Sequence, residues 1–315
     1  MFYYDTEQKV FNIGGVRIGG QPGENPPLLI GNMFQKGDVL LENRKEGKFN
    51  RKAAEERIRE MERLSQETGV PGLIAMVANQ LDEMKRYIDF FIGVTDMPFA
   101  IDVWVQKTRL AIARYIAELG IQDRVLYNSI TPWDEDNEAQ VAEIKELGIK
   151  HVVVQVFDVE DKRPAGRVKS LKKMLPIVKK GNFKSILVDT AVMNLPTTSL
   201  SLLANYMIKK EFGLPVGFAP SNGSYMWRKA AGEEGRSKFP PIDAAVHAVS
   251  TIASDFLFYG PLTGTSRVFP AVASASSMMA ALAFEERGFI SSGGQPLNML
   301  FPDVVEQFIK EKGDD

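Results

Sequence analysis

The sequence predicts an α/β fold, a (β/α)8 TIM barrel preceded by an N-terminal hairpin. Three observations predict it. Eight short apolar runs are bounded by turn residues. Each is followed by a segment with helical apolar spacing. The chain has 315 residues, a little above the ~250 of a simple barrel of this kind. The competing architecture, a doubly wound open sheet, usually announces itself with a glycine-rich phosphate turn after its first strand. Here Gly31-Asn32-Met33-Phe34-Gln35 follows, with neither G-x-G-x-x-G nor G-x-x-x-x-G-K-[ST].

Each element has a local reason. Val10 to Ile18 reads as a hairpin across Gly14-Gly15, placed to plug the barrel bottom. Pro27 to Asn32 is the first barrel strand. A helix follows with Ala54, Ile58, Met61 and Leu64 in phase, capped by Asn50 and ended by Gly69. Gly72–Val77 is the second strand and Leu81 to Ile92 the next helix. Phe99–Asp102 is the third strand, before a helix with Leu110, Ala113 and Ile116 on one face. Arg124–Asn128 is the fourth, before a helix carrying Val141, Ile144 and Leu147 that stops at Gly148. Val152 to Phe157 is the fifth, before a basic helix from Arg167 to Lys180. Ser185–Asp189 is the sixth, before a helix from Ser199 to Phe212. Leu214 to Ala219 is the seventh, and a helix is expected from Pro241 to Ala253. Phe256–Gly260 is the eighth, before a helix from Ala271 to Arg287. Ser291 to Pro296 reads as a turn-rich loop before a short terminal helix. One domain over 1–315 is expected, with extensions at 1–26 and 288–315 and no linker or solenoid repeat.

Composition limits the chemistry. Hydrophobic residues at 44% and charged residues at 25% exclude a disordered chain. A net charge of -2 argues against sequence-independent nucleic-acid binding, which needs a basic face. There is no cysteine, so disulfides, thiolate zinc sites, iron–sulfur clusters and a cysteine nucleophile are excluded together. Only His151 and His247 are present, so a three-histidine metal site cannot be built. His151 opens a strand. His247 points off the apolar stripe Ile242, Val246, Val249, Ile252. Both read as non-catalytic. Met1 to Glu7 lacks a basic n-region followed by an apolar run, so no signal peptide is expected. No stretch reads as approaching the ~18 apolar residues of a membrane span. A cytoplasmic location is expected.

In a barrel of this type the active site lies at the carboxyl ends of the strands. Those ends carry Asn32, Asp102, Asn128, Gln155 or Asp158, Asp189, and Asn222 just past the seventh strand. The ring is acidic and carboxamide, with almost no positive charge. The nearest phosphate candidate, Thr263-Gly264-Thr265-Ser266-Arg267, reads as an ordinary loop. Two aspartates and two asparagines converging on one pocket can accept from an amino group and a ring N–H while donating to a ring carbonyl or nitrogen. That pattern suits a pterin. Four oxygen ligands for Mg²⁺ are the alternative, though only two are carboxylates. Singly, each residue could simply end a strand; four at one barrel level favour a site.

The strings Ile18-Gly19-Gly20-Gln21-Pro22-Gly23-Glu24, Leu29-Ile30-Gly31, Phe99-Ala100-Ile101-Asp102, Tyr127-Asn128-Ser129-Ile130 and Phe212-Gly213-Leu214-Pro215-Val216-Gly217 resemble the H-subunit family of tetrahydromethanopterin S-methyltransferase. The resemblance runs from about residue 10 to 290 and points to its bacterial branch, the methylcorrinoid:tetrahydrofolate methyltransferases. It implies a pterin-binding TIM barrel. It also implies that Asp102, Asn128, Asp189 and Asn222 contact the pterin, as the matching strand ends do across pterin-binding barrels. Where the family string often continues with Ser after the third-strand Asp, this chain has Val103 and Trp104. The implied reaction moves a methyl group between a corrinoid and N5 of tetrahydrofolate, with Asn222 as the catalytic hydrogen-bond donor. Neither histidine sits in an Asp-x-His-x-x-Gly loop, so the corrinoid (cobalamin) is expected on a partner protein. No metal is expected in this chain, and a homodimer is the expected assembly. The alternatives are a condensing enzyme similar to dihydropteroate synthase, and a non-catalytic pterin-binding or docking component of a methyltransferase complex.

Overall fold

The structure is a computed structural model that describes residues 3–289 and 293–313. The chain opens with the antiparallel hairpin β1 (Val10–Ile13) and β2 (Val16–Gly19). The first barrel strand is β3 (Leu28–Met33), and a small second hairpin follows, β4 (Leu41–Asn43) with β5 (Lys48–Phe49). Then come α1 (Arg51–Thr68), β6 (Gly72–Val77), α2 (Leu81–Val94), β7 (Phe99–Asp102), α3 (Gln106–Leu119) and β8 (Val125–Ile130). They continue with α4 (Asn137–Glu146), β9 (His151–Gln155), α5 (Pro164–Lys179), β10 (Ser185–Asp189) and α6 (Thr198–Phe212). The last part holds β11 (Val216–Phe218), α7 (Pro220–Ala230), α8 (Gly232–Ser250), β12 (Phe256–Pro261), α9 (Thr265–Arg287), α10 (Pro296–Leu300) and α11 (Pro302–Gly313).

Eight parallel strands close in the order β10-β11-β12-β3-β6-β7-β8-β9. Closure removes the open edges an α/β sheet would otherwise expose. Strand alternation separates two cores. Inward-facing Leu28, Ile30, Leu73, Ala75, Leu126 and Val153 fill the barrel, and outward-facing Leu29, Ile74 and Ile101 pack under the helices. Ile13 and Ile18 of the first hairpin are fully buried in the interior cluster, so that hairpin stoppers the amino end of the barrel. Asn50 caps α1 as expected: its Oδ1 accepts from the Ala53 amide at 3.0 Å, and Gly69 ends the helix at φ 72°.

Several expectations need correction. The β4–β5 hairpin and α7 have no counterpart in the sequence reading. Residues 220–224, just past the seventh barrel strand, are the first turns of α7. Pro220 at the first helical position explains the start, since its missing N–H is not needed there. Gly223 is small for packing rather than turning, because a Cβ there would lie 3.0 Å from the backbone of Leu195. The helix expected at Pro241 begins at Gly232 and runs through Pro240 and Pro241. Its buried face is Phe239, Asp243, His247 and Ser250, whereas Val249 is 54% exposed. His247 therefore lies inward, opposite to the expected stripe. Helix α9 starts at Thr265, not Ala271. The segment Leu262–Arg287 does have the length and hydropathy of a membrane span, contrary to expectation; 61% of its apolar 18-residue stretch is buried inside the fold. The expected loop Ser291 to Pro296 lies partly outside the described residues.

Candidate active site

The register of the barrel brings the expected residues together. Asp102 at the end of β7 pairs with Asn128 on β8, and Asp189 at the end of β10 pairs with Gln155 on β9. Each carboxylate thus has a carboxamide as its lateral neighbour. All four, with Asn32 and Asn222, line one cavity of about 220 Å³ at the carboxyl end of the barrel. Of the two fifth-strand candidates only Gln155 faces it. Asp158 is turned to a separate groove and accepts from the Glu160 amide at 2.9 Å. Asn222 enters from the first turn of α7, exposed to solvent on the cavity rim.

The two carboxylates are poorly compensated. Among the described residues each receives one hydrogen bond. Asn32 Nδ2 donates to Asp102 Oδ2 at 3.1 Å, and the Ala191 amide donates to Asp189 Oδ1 at 2.7 Å. Ala191 holds φ 50°, the left-handed region an alanine seldom adopts, in presenting that amide. Burial raises the Asp102 carboxyl to about 6, against the opposing pull of Asn32 and Arg109. Burial likewise raises Asp189 to about 7. The Ala191 amide works against that shift and the charge of Asp102 adds to it. A carboxylate withdrawn from water with few donors favours its neutral form. A ligand bringing N–H donors supplies what is missing. Pairs of this kind mark functional sites.

The walls hold residues that the sequence reading did not single out. Arg109 lines the cavity but is spent. Its Nη2 binds both oxygens of Asp134 at 2.9 and 2.8 Å, and its Nη1 donates to Val103 O at 2.8 Å. That ion pair is almost fully buried, and with the Val103 contact it lets Arg109, on α3, tie the loop after β7 to the loop after β8. Those loops carry Trp104 and Trp133, which stand at the rim 6.5 Å apart by ring centroids and are 79% and 48% exposed. Arg109 was detectable: it lies in phase with Ile112, Ala113 and Ile116 on the buried face of α3. Phe258 and Ser221 complete the floor and far wall, and Ser221 Oγ donates to Phe258 O at 3.0 Å.

The remaining sequence candidates lie elsewhere. His151 is buried at the opposite end of the barrel, its Nδ1 2.8 Å from Ser185 Oγ. Burial lowers it to about 4, so it stays neutral. His247 Nδ1 meets the Asp243 carbonyl at 2.7 Å. Neither histidine lines the cavity. The stretch 263–267, expected as an ordinary loop, runs into the first turn of α9: Thr265 Oγ1 donates to Leu262 O at 2.6 Å and Arg267 Nε donates to Asp243 Oδ2 at 2.7 Å. Among the described residues no group of three or more His, Asp or Glu side chains is placed to hold a metal ion.

The barrel is shared with solved structures of dihydropteroate synthase. That of Yersinia pestis matches with a TM-score of 0.61 at 12% identity, over 87% of this chain and 100% of the other. That of Vibrio fischeri matches with 0.60 at 11%, over 86% and 97%. At such identity they show the fold alone, a closed (β/α)8 barrel. The sequence relatives are closer. The H subunit of tetrahydromethanopterin S-methyltransferase from Methanosarcina mazei is 34% identical over 301 residues, covering 90% of this chain and 95% of that protein. Its counterpart from Methanocaldococcus jannaschii is 33% identical over 306 residues, with 90% and 95% covered. The family described as tetrahydromethanopterin S-methyltransferase MtrH subunit matches residues 6–289. This chain therefore belongs to the MtrH family of tetrahydromethanopterin S-methyltransferase subunits.

Proposed function

We propose that the chain binds a tetrahydropterin in the 220 Å³ cavity and moves a methyl group between N5 of that ring and a corrinoid carried by a separate protein. The observation that carries this reading is the pair of under-donated carboxylates, Asp102 and Asp189, each with a carboxamide beside it in register. A pterin offers the complement. Its 2-amino group and N3–H are donors for carboxylates, and its 4-oxo group and ring nitrogens are acceptors for Asn128. On binding, ring N–H groups replace the missing donors and the carboxyls lose their reason to stay neutral.

Asn222 supplies the chemical step. As a methyl group leaves N5, the bonding electron pair stays on that nitrogen. A tertiary amine is a poor leaving group unless it is protonated or hydrogen-bonded. The carboxamide of Asn222 donates a hydrogen bond that strengthens as charge builds there. In the reverse direction the same contact orients the N5 lone pair. The corrinoid supplies a cobalt that accepts or delivers the methyl group. Both histidines of this chain are buried away from the cavity, so neither would hold the corrinoid, which a separate protein would carry. The rim tryptophans leave the mouth open for that approach.

Two alternatives are less well supported. A condensing enzyme needs a basic pyrophosphate site, and the one cation among the described lining residues, Arg109, is bound to Asp134. A non-catalytic docking component would leave the exposed Asn222 without a role. The finer reading takes tetrahydrofolate as the carrier and the bacterial branch as the lineage, with a homodimer in the cytoplasm. It is carried by the resemblance and by the expectations from the sequence. The archaeal relatives bear tetrahydromethanopterin in their names, and both carriers present the same ring to these residues.

Calorimetry with tetrahydrofolate, tetrahydromethanopterin and dihydropterin pyrophosphate separates the readings. Either tetrahydropterin should bind, and the chain should demethylate free or protein-bound methylcobalamin. Absence of affinity for both removes the pterin assignment. Affinity without turnover leaves a docking role.

A further inference from the structure

A second groove of about 420 Å³ opens beside the first, between α4 and α5. Trp133 belongs to both, so the two spaces meet at its indole ring. The groove walls are Phe157, Val159, Met174 and Ile177, an apolar and aromatic channel. On α5, Ser170, Lys173, Met174 and Ile177 fall at helical spacing and turn one face to it. Two polar features stand out. Ser170 is 5% exposed and its Oγ has no hydrogen-bond partner among the described residues. A buried unmade hydrogen bond is costly, and this one lies just beneath the groove wall. Lys173 is exposed at the groove edge and makes no ion pair among the described residues, whereas Lys169 one turn earlier lies 3.5 Å from Asp158. Asp158 also lines the groove, but its carboxylate is held low by the Glu160 amide and by further contacts that include Lys169.

Resting on the pterin reading above, we propose that this groove holds the tail of the pterin substrate. Tetrahydropterin carriers bear at C6 an aryl ring followed by an anionic chain. With the bicyclic head in the first cavity, the aryl ring passes Trp133 and lies against Phe157, Met174 and Ile177. Lys173, exposed at the groove edge, faces the tail's anionic group. The groove is thereby a specificity subsite: it separates full carriers from bare pterins, which the first cavity alone cannot do.

The test compares a full carrier with tailless 6-methyltetrahydropterin by calorimetry, on the intact chain. The wild type should bind the carrier at least about tenfold more tightly, the worth of a partly buried aryl ring and one charge contact. Val159→Trp, at a position 68% exposed, fills the groove without touching the core. Lys173→Glu reverses the charge at its edge. Each should weaken the carrier at least about threefold and leave the tailless pterin unchanged. Equal effects on both ligands, or none on either, overturn the tail placement while the pterin assignment stands. Failure of the wild type to bind any pterin overturns both.

Discussion

At the amino end of the barrel the largely buried Asp255 lies beside Lys209, whose Nζ is 2.7 and 2.8 Å from its two carboxylate oxygens and also donates to Gly20 O at 3.0 Å. The Val216 amide adds a further contact, to Asp255 Oδ2 at 2.9 Å. At the carboxyl end Asp102 and Asp189 receive one hydrogen bond each, and burial raises them to about 6 and 7. Among the described residues no cation is bonded to either. The same residue type is thus treated in two ways at the two ends of one barrel. A buried carboxylate with a full set of partners holds structure. One left short of donors is kept for a ligand. The Gly19–Glu24 string, which carries much of the family resemblance, sits at the first end and belongs to the scaffold.

Breaking the paired end should give the largest effect. Lys209→Met leaves Asp255 buried without its cation, a loss of ~3–5 kcal/mol in folding stability by urea titration. Pterin affinity of the folded variant should match the wild type. A small loss of stability, or lost affinity in a folded protein, would erase the contrast between the two ends.

Asp189→Asn tests the unpaired end, and its sign is opposite. The folded carboxyl titrates near 7 and the unfolded one near 3.8, so the native state binds the extra proton between those values. Wild-type stability therefore falls as pH rises through that window. The asparagine can keep the Ala191 contact and has no charge to bury. Thermal unfolding should show no advantage for the variant at pH 4 and ~1–3 kcal/mol in its favour at pH 8. Pterin affinity should fall by ~1–3 kcal/mol over the same comparison, because the charged acceptor is gone. Wild-type affinity should also weaken as pH drops from 8 to 6, when the carboxyl takes up its proton. A variant less stable at both pH values would show that Asp189 serves the fold.

The strand ends were legible because period-two alternation fixes which residue leaves a strand facing the mouth, and Asp102, Asn128 and Asp189 obey it. What escaped depended on helices and loops. Arg109 and Asp134 are 25 residues apart and meet only once the barrel has closed. Helix α7 was hidden because Pro, Ser, Asn and Gly are turn formers by propensity, while Pro220 at the helix start and a tight approach to Leu195 reverse that preference. His247 was misplaced because the buried face of α8 is polar: Asp243 bonds Ser224 Oγ and Arg267 there, so an apolar stripe was the wrong guide.

In the proposed mechanism Asn222 is the point where the open end meets chemistry, and its variant should change pterin affinity less than Asp189→Asn does. It lies in the first turn of α7, and its backbone amide donates to Ala219 O at 3.1 Å whatever its side chain does. A purely structural asparagine would therefore tolerate Ser or Asp. A donor to N5 would not: Asp lacks the amide hydrogens, and Ser is too short to carry its hydroxyl as far. The bond is expected to matter more in the transition state than in the ground state. Asn222→Ala should thus lower kcat at least about tenfold while changing pterin affinity less. Single-turnover methyl transfer at saturating pterin, followed by the cobalt absorbance change, reads the first quantity and calorimetry the second. Near-normal turnover in Asn222→Asp or Asn222→Ser would confine the residue to shaping α7. Activation of N5 would then fall to another polar group of the cavity or to the partner.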